Sequence, residues 1–248
     1  CGLEHSHLPG QTRPLAGVHA FCVQGPHPRG VCQPARLPDA PTTRLGIPRM
    51  ASAGGGHQRS ADGYHVVTRW LKEELPHSFV LTTNVDSYHA RAGVPEVQLC
   101  ERYGSQWELQ CITPCRKEYW RDSRAPLCAL DEERMEATSF PTCPYCGAVA
   151  RPRVQMSHDP HFLEKGHDWR RYELFREDGE PDVLLVIGST LWFSWPDGVP
   201  QPRVISINPD PRTHEPYKDM LAIPLGAKDA LAGLDWMLRQ LPGPRPAR

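Results

Sequence analysis

No apolar run in this 248-residue chain approaches the roughly 20 residues that cross a bilayer, so no spanning helix and no membrane partner is expected. An excess of positive charge is missing too. Lys and Arg number 28 against 29 Asp and Glu, a formal net charge of −1. Nucleic-acid binders concentrate positive charge on one face, so none of that binding is expected here. An even cysteine count is also absent. Nine cysteines leave at least one outside any pure disulfide framework. In a chain this long, that favours a reducing, intracellular compartment (cytoplasm or nucleus) and a metal site. The first residue is Cys1 rather than methionine, so the lack of a leader carries no message about targeting. Nothing in the pattern fixes an oligomeric state.

Residues 1–60 contain no lysine and only Glu4 and Asp39 as acids, are rich in Pro and Gly, and hold no sustained helical or strand period. Such a segment reads as mostly irregular. Regular pattern begins at ADGYHVVTRWLKEEL, where Tyr64, Val67, Trp70, Leu71 and Leu75 share one helical face and Pro76 stops the helix. SFVLTTN follows as a short β-rich run. DVLLVIGS and RVISINP are near-continuous apolar runs, as in parallel strands covered on both faces. AKDALAGLDWMLRQL places Leu231, Leu234, Leu238 and Leu241 on one stripe before Pro242 and Gly243. The order predicts an α/β fold: a Rossmann-like open parallel sheet over 61–106 and 159–248, interrupted by a small module at 107–158.

That module is rich in Cys, Pro and Arg. Cys111-x3-Cys115 and Cys143-x2-Cys146 form two close pairs separated by 27 residues, and CPYCG is a knuckle whose glycine lets the turn aim backbone N–H groups at sulfur. Four thiolates suit tetrahedral Zn²⁺, and with every position filled by sulfur the ion has no room for a reacting water, so its role is structural. Cys128, between the pairs, is the spare: it is the alternative to one of the four ligands, but Cys111-x3-Cys115 already supplies a complete first pair.

At LTTNVDSYHARAG the chain resembles the sirtuins, NAD-dependent protein deacylases. Thr82, Asn84, Val85, Asp86, His89, Ala92 and Gly93 match the family's hallmark, and Thr83 stands where glutamine is usual. The resemblance continues through YGSQWELQC, the cysteine pairs, ARPRVQM, VIGSTL and INPDP, over roughly residues 61 to 241. It implies NAD and zinc as cofactors and an acylated protein lysine as substrate. The acyl oxygen would attack the nicotinamide-bearing ribose carbon and the acyl group would end on ADP-ribose. Thr83, Asn84, Asp86, Gly188, Ser189, Thr190, Asn208, Pro209, Gly226 and Ala227 are the implied cofactor-binding residues. Asn84, Asp86 and Tyr103 fall at the implied catalytic positions. The residues themselves agree: Gly188 after a buried strand lets backbone approach a ligand, Ser189 and Thr190 offer hydroxyls, and Asn208 sits where a ribose binds at a sheet's carboxyl edge. Asp86 also suits a helix cap, and His89 a packing role.

Two departures qualify the resemblance. Residues 1–60 contain neither the family's Gly-Ala-Gly-hydrophobic-Ser loop nor its Pro-Asp-Phe-Arg; a truncated or mispredicted start and a true loss both fit. Tyr103 replaces the family's general-base histidine. A phenol titrates near 10 and an imidazole near 6.5, so this exchange weakens a base at neutral pH. Deacylation is therefore expected to be impaired. Mono-ADP-ribosyl transfer or NAD hydrolysis is the alternative enzyme, and an inactive zinc-stabilised module that binds a nucleotide or a partner is the alternative from another class.

Overall fold

The computed structural model describes residues 20–23, 62–121, 130–131, 136–137, 140–156, 159–179, 181–189, 202–210, 212 and 220–241. Six strands form one wholly parallel sheet: β1 (Ala20–Val23), β2 (Phe79–Thr82), β3 (Leu99–Glu101), β9 (Val183–Ile187), β10 (Arg203–Ile207) and β11 (Leu221–Ile223). Their spatial order is β11-β10-β9-β1-β2-β3. Renumbered within the sheet, this is the doubly wound order 3-2-1-4-5-6, in which ligands bind at the carboxyl ends where the order reverses.

Successive side chains on a strand point to opposite faces. Val80, Leu185 and Ile187 therefore meet Val67, Trp70, Leu71, Ala230 and Leu231 on one side. Those residues belong to α1 (Asp62–Arg69), which continues as a wider π-type turn to Glu74, and to α4 (Ala227–Gln240). Phe79 and Leu81 face the other side and pack on Tyr172 and Phe175 of α3 (Gly166–Glu177). The Trp70 indole N–H donates to Asp235 at 2.8 Å, and Arg69 pairs with the same carboxylate, tying α1 to α4.

One expectation is corrected, at Leu241. Within the stretch read as mostly irregular, Ala20–Val23 supply a central strand of the sheet, β1, paired in parallel with β2 on one side and β9 on the other, and the other residues of 1–60 lie outside the described residues. Four residues are too few to show a period, and their order comes from partners distant in sequence. Leu241 does not join the helical stripe. It follows the last turn of α4, 63% exposed and extended at ψ 139°. Pro Cδ disfavours the helical region for the residue before it, and Pro242 comes next.

The rest of the chain builds around β4 (Gly104–Cys111), flanked by β5 (Tyr119–Arg121) and β8 (Ala150–Val154) in an antiparallel sheet; β6 (Leu130–Asp131) and β7 (Glu136–Ala137) form a hairpin. On that sheet Arg153 donates from both Nε and Nη2 to one carboxylate oxygen of Glu108, both residues buried, and Lys165 reaches the other oxygen at 3.0 Å. Breaking a buried pair strands a charge, at about 3–5 kcal/mol. Glu108→Gln is expected to lower unfolding free energy by that order in urea titration. Burial opposes ionisation of Glu108, but Arg153 and Lys165 outweigh it and hold the carboxyl below its ordinary value. The pair's contribution is thus complete above about pH 4.5, the unfolded value, and fades as pH falls through the lower folded value. The Gln variant should lose that acid-side slope.

Candidate active site

Every described residue of the implied NAD site lies at the carboxyl edge of the parallel sheet. Thr83, Asn84 and Asp86 follow β2; Tyr103 sits on the turn after β3; Gly188 and Ser189 follow β9; Asn208 and Pro209 follow β10; Gly226 caps α4 just after β11, with Ala227 its first residue. Asn84 and Asp86 are half-buried and Ser189 is buried, while Pro209, Gly226 and Ala227 are exposed. Thr190 and Cys128 lie outside the described residues, as does the chain after β1 where a phosphate loop would stand. Gly188 has φ 62°, and its N–H donates to the Ile207 carbonyl at 2.8 Å, so the glycine requirement there is backbone geometry. The Asn208 side chain accepts from the Asp210 N–H at 3.0 Å, the Asx turn expected of Asn-Pro.

Asp86 accepts from the Tyr88 N–H at 2.9 Å and thus caps the short helix α2 (Tyr88–Arg91). Burial raises its carboxyl above the ordinary range, against the pull of that N–H and of Arg91. Tyr64, which the helical period marks only as a packing residue, reaches this site from α1. Burial together with the Asp86 charge pushes its hydroxyl up to about 12, against the opposing pull of the Asn84 side chain. No sequence signal separates this tyrosine from the other residues on its helix face. His89 is buried against the Tyr64 ring, centroids 4.7 Å apart, with no hydrogen-bond partner on either ring nitrogen, and burial draws it down to about 4. It is a neutral packing residue.

Tyr103 is 38% exposed. Its carbonyl accepts from the Gln155 N–H at 3.0 Å, and the neighbouring Arg102 N–H donates to the Thr82 carbonyl at 2.9 Å. The turn after β3 is thereby set beside the segment after β2. Gly104 has φ 85°, and a Cβ there would stand 2.0 Å from the Arg153 carbonyl oxygen, so no other residue fits the turn. A cavity of about 500 Å³ lies elsewhere, lined by Glu101, Glu108, Trp120, Lys165 and Asp168, with none of the implied NAD residues.

The four cysteines meet at the end of β4. All four sulfurs lie within 4.8 Å of one another, with Cys111 to Cys146 at 3.8 Å and Cys115 to Cys143 at 3.7 Å. Sulfurs on tetrahedral Zn–S bonds of about 2.3 Å stand ~3.8 Å apart, so the donor set fits the ion. Gly147, at φ 73°, closes the knuckle as its spacing implies. Burial pushes the Cys143 thiol up, but the Tyr145 and Cys146 N–H groups aimed at its sulfur prevail and bring it down to about 7. Cys100 is buried under α3, with its thiol pushed up to about 12 by burial, and takes no part.

The model of the Sir2 family matches residues 47–193, more than half of the chain. The chain belongs to the Sir2 family. An NAD-dependent protein deacylase of Mycobacterium leprae is 30% identical over 187 residues, covering 73% of this chain and 70% of the relative. A namesake from Aquifex aeolicus is 30% identical over 129 residues, covering 52% of this chain and 46% of its own length. Against several such relatives the chain spans about half of their length. A crystal structure of a Sir2 homologue–NAD complex shares the fold, with a TM-score of 0.54 at 21% identity, over 73% of this chain and 66% of the other.

Proposed function

We propose that this Sir2-family chain transfers an acyl group from protein lysine to NAD with release of nicotinamide, at a rate limited by Tyr103. The observation that carries the reading is convergence: Asn84, Asp86, Tyr103, Ser189 and Asn208 come from four separate stretches and gather along one carboxyl edge of a doubly wound sheet. NAD would supply the ribose carbon at which nicotinamide is exchanged for the acyl oxygen. Asn84, and Asp86 with its carboxyl raised by burial, would orient the nicotinamide ribose. The Gly188 backbone and the hydroxyl of Ser189 would bind the far end of the nucleotide, with Asn208 on a ribose. Cys111, Cys115, Cys143 and Cys146 would hold a zinc ion that stitches β4 to the knuckle and supplies folding energy rather than chemistry.

A second reading, ADP-ribosyl transfer or NAD hydrolysis, is favoured by Tyr103 itself, since those reactions need nicotinamide to leave but not the base-driven second stage. A turnover-free binding module is the third. Nicotinamide release from NAD, measured with and without an acylated lysine peptide, separates them. Release that depends on the peptide is the expected result, and Asp86→Asn should reduce it at least tenfold. Peptide-independent release would favour the second reading, and none at all the third.

A further inference from the structure

Two loops carry the site, and a buried pair of hydroxyls joins them. Ser87, directly after Asp86, is left-handed at φ 55°, the one such non-glycine among the described residues. That backbone disfavours most side chains, so something must hold Ser87 in place. Its Oγ lies 2.7 Å from the Oγ of Ser105, two residues after Tyr103. The Trp107 N–H donates to the Ser105 Oγ at 3.1 Å. Ser87 and Ser105 are 6% and 2% exposed. Backbone bonds run in parallel. The Gln106 N–H donates to the Val85 carbonyl and the Trp107 indole to the Asp86 carbonyl, each at 2.8 Å.

We propose that Ser87 and Ser105 are positioning residues that fix the Asp86 turn against the Tyr103 turn, so that the two side chains face the nicotinamide ribose in register. The proposal rests on the acyl-transfer reading. Neither serine reaches the substrate; each acts through its neighbour, Ser87 on Asp86 and Ser105 on the Tyr103-Gly104 turn. Geometry of this kind governs turnover more than binding, since misplacing a reacting group by about 1 Å costs up to about 10²-fold in rate.

The test has two arms on the full, zinc-loaded chain. In the first, Ser105→Ala and Ser87→Gly should lower kcat for nicotinamide release about ten- to hundredfold with KM for NAD within about twofold, while Ser105→Thr, which keeps the hydroxyl, retains most turnover. Glycine relaxes the left-handed backbone but lacks the hydroxyl. A Ser87→Gly variant equal to wild type, or losses confined to KM and melting temperature, would overturn the proposal. In the second arm, hydrogen exchange of the Gln106 amide and Trp107 indole should quicken about tenfold in Ser105→Ala, with β2 and β9 amides unchanged. Unchanged exchange at both would overturn the proposal without reference to turnover. No nicotinamide release by the wild-type chain, together with the faster exchange in Ser105→Ala, would contradict the acyl-transfer reading and leave the clamp in place.

Discussion

Tyr103→His raises acyl transfer from lysine by about 10² to 10⁴, the range contributed by a positioned general base. The site can accept the change. An imidazole is smaller than a phenol, Tyr103 is 38% exposed, and its backbone is set by the Gln155 N–H on one side and by Gly104 on the other. The gain should follow pH with the sign of a base: full above about 6.5, where imidazole is neutral, and lost as pH falls below it. Tyr103→Phe should change little, because this reading gives the hydroxyl no step in acyl transfer and Phe keeps the ring. The reverse pattern, with nicotinamide release depressed by Phe and acyl transfer not raised by His, would assign the hydroxyl to a different reaction on NAD. Rates of acyl loss from a labelled peptide for the three forms decide between them.

Cys143→Ser is expected to remove zinc and unfold the module. Structural Zn²⁺ supplies on the order of 10–16 kcal/mol in small modules, far more than the packing around this knuckle, where Cys115, Pro144, Tyr145 and Cys146 are exposed. Wild-type chain should carry about one zinc by elemental analysis, and the variant none. Protection from hydrogen exchange should vanish in β5 and at the knuckle, where the Trp120 and Tyr145 rings now sit 6.2 Å apart, while β2 and β9 stay protected. Cys128→Ser should leave the ion in place. Zinc retained in full by Cys143→Ser would refute the four-cysteine assignment.

Where an element buries a long one-sided or two-sided apolar run, its sequence announces it: α1, β2, β9, β10 and α4 all fall where their periods put them. The elements that escape are short or polar. Of the twelve residues of α3, Asp168 and Tyr172 are the buried ones, so no apolar stripe marks the helix. β1 and β3 have four and three residues and owe their place to parallel partners far along the chain. The site divides in the same way. Asn84, Asp86, Ser189, Asn208 and the cysteines stand in local motifs whose spacing carries the message. Tyr64, Ser87 and Ser105 matter through contacts between separate segments; the two serines stand inside motifs whose spacing gives no sign that their side chains meet. The ion-pair cluster of Glu108, Arg153 and Lys165 is hidden for that reason too: its members are 45 and 57 positions from Glu108 and only the fold brings them together.

The most direct measurement is the identity of the product made from NAD and an acylated lysine peptide, read by mass spectrometry. The predicted result is deacylated peptide together with ADP-ribose that carries the acyl group, in amounts equal to the nicotinamide released and larger with Tyr103→His. Free ADP-ribose or ADP-ribosylated peptide, with the acyl group still on lysine, would contradict acyl transfer as the activity of this chain.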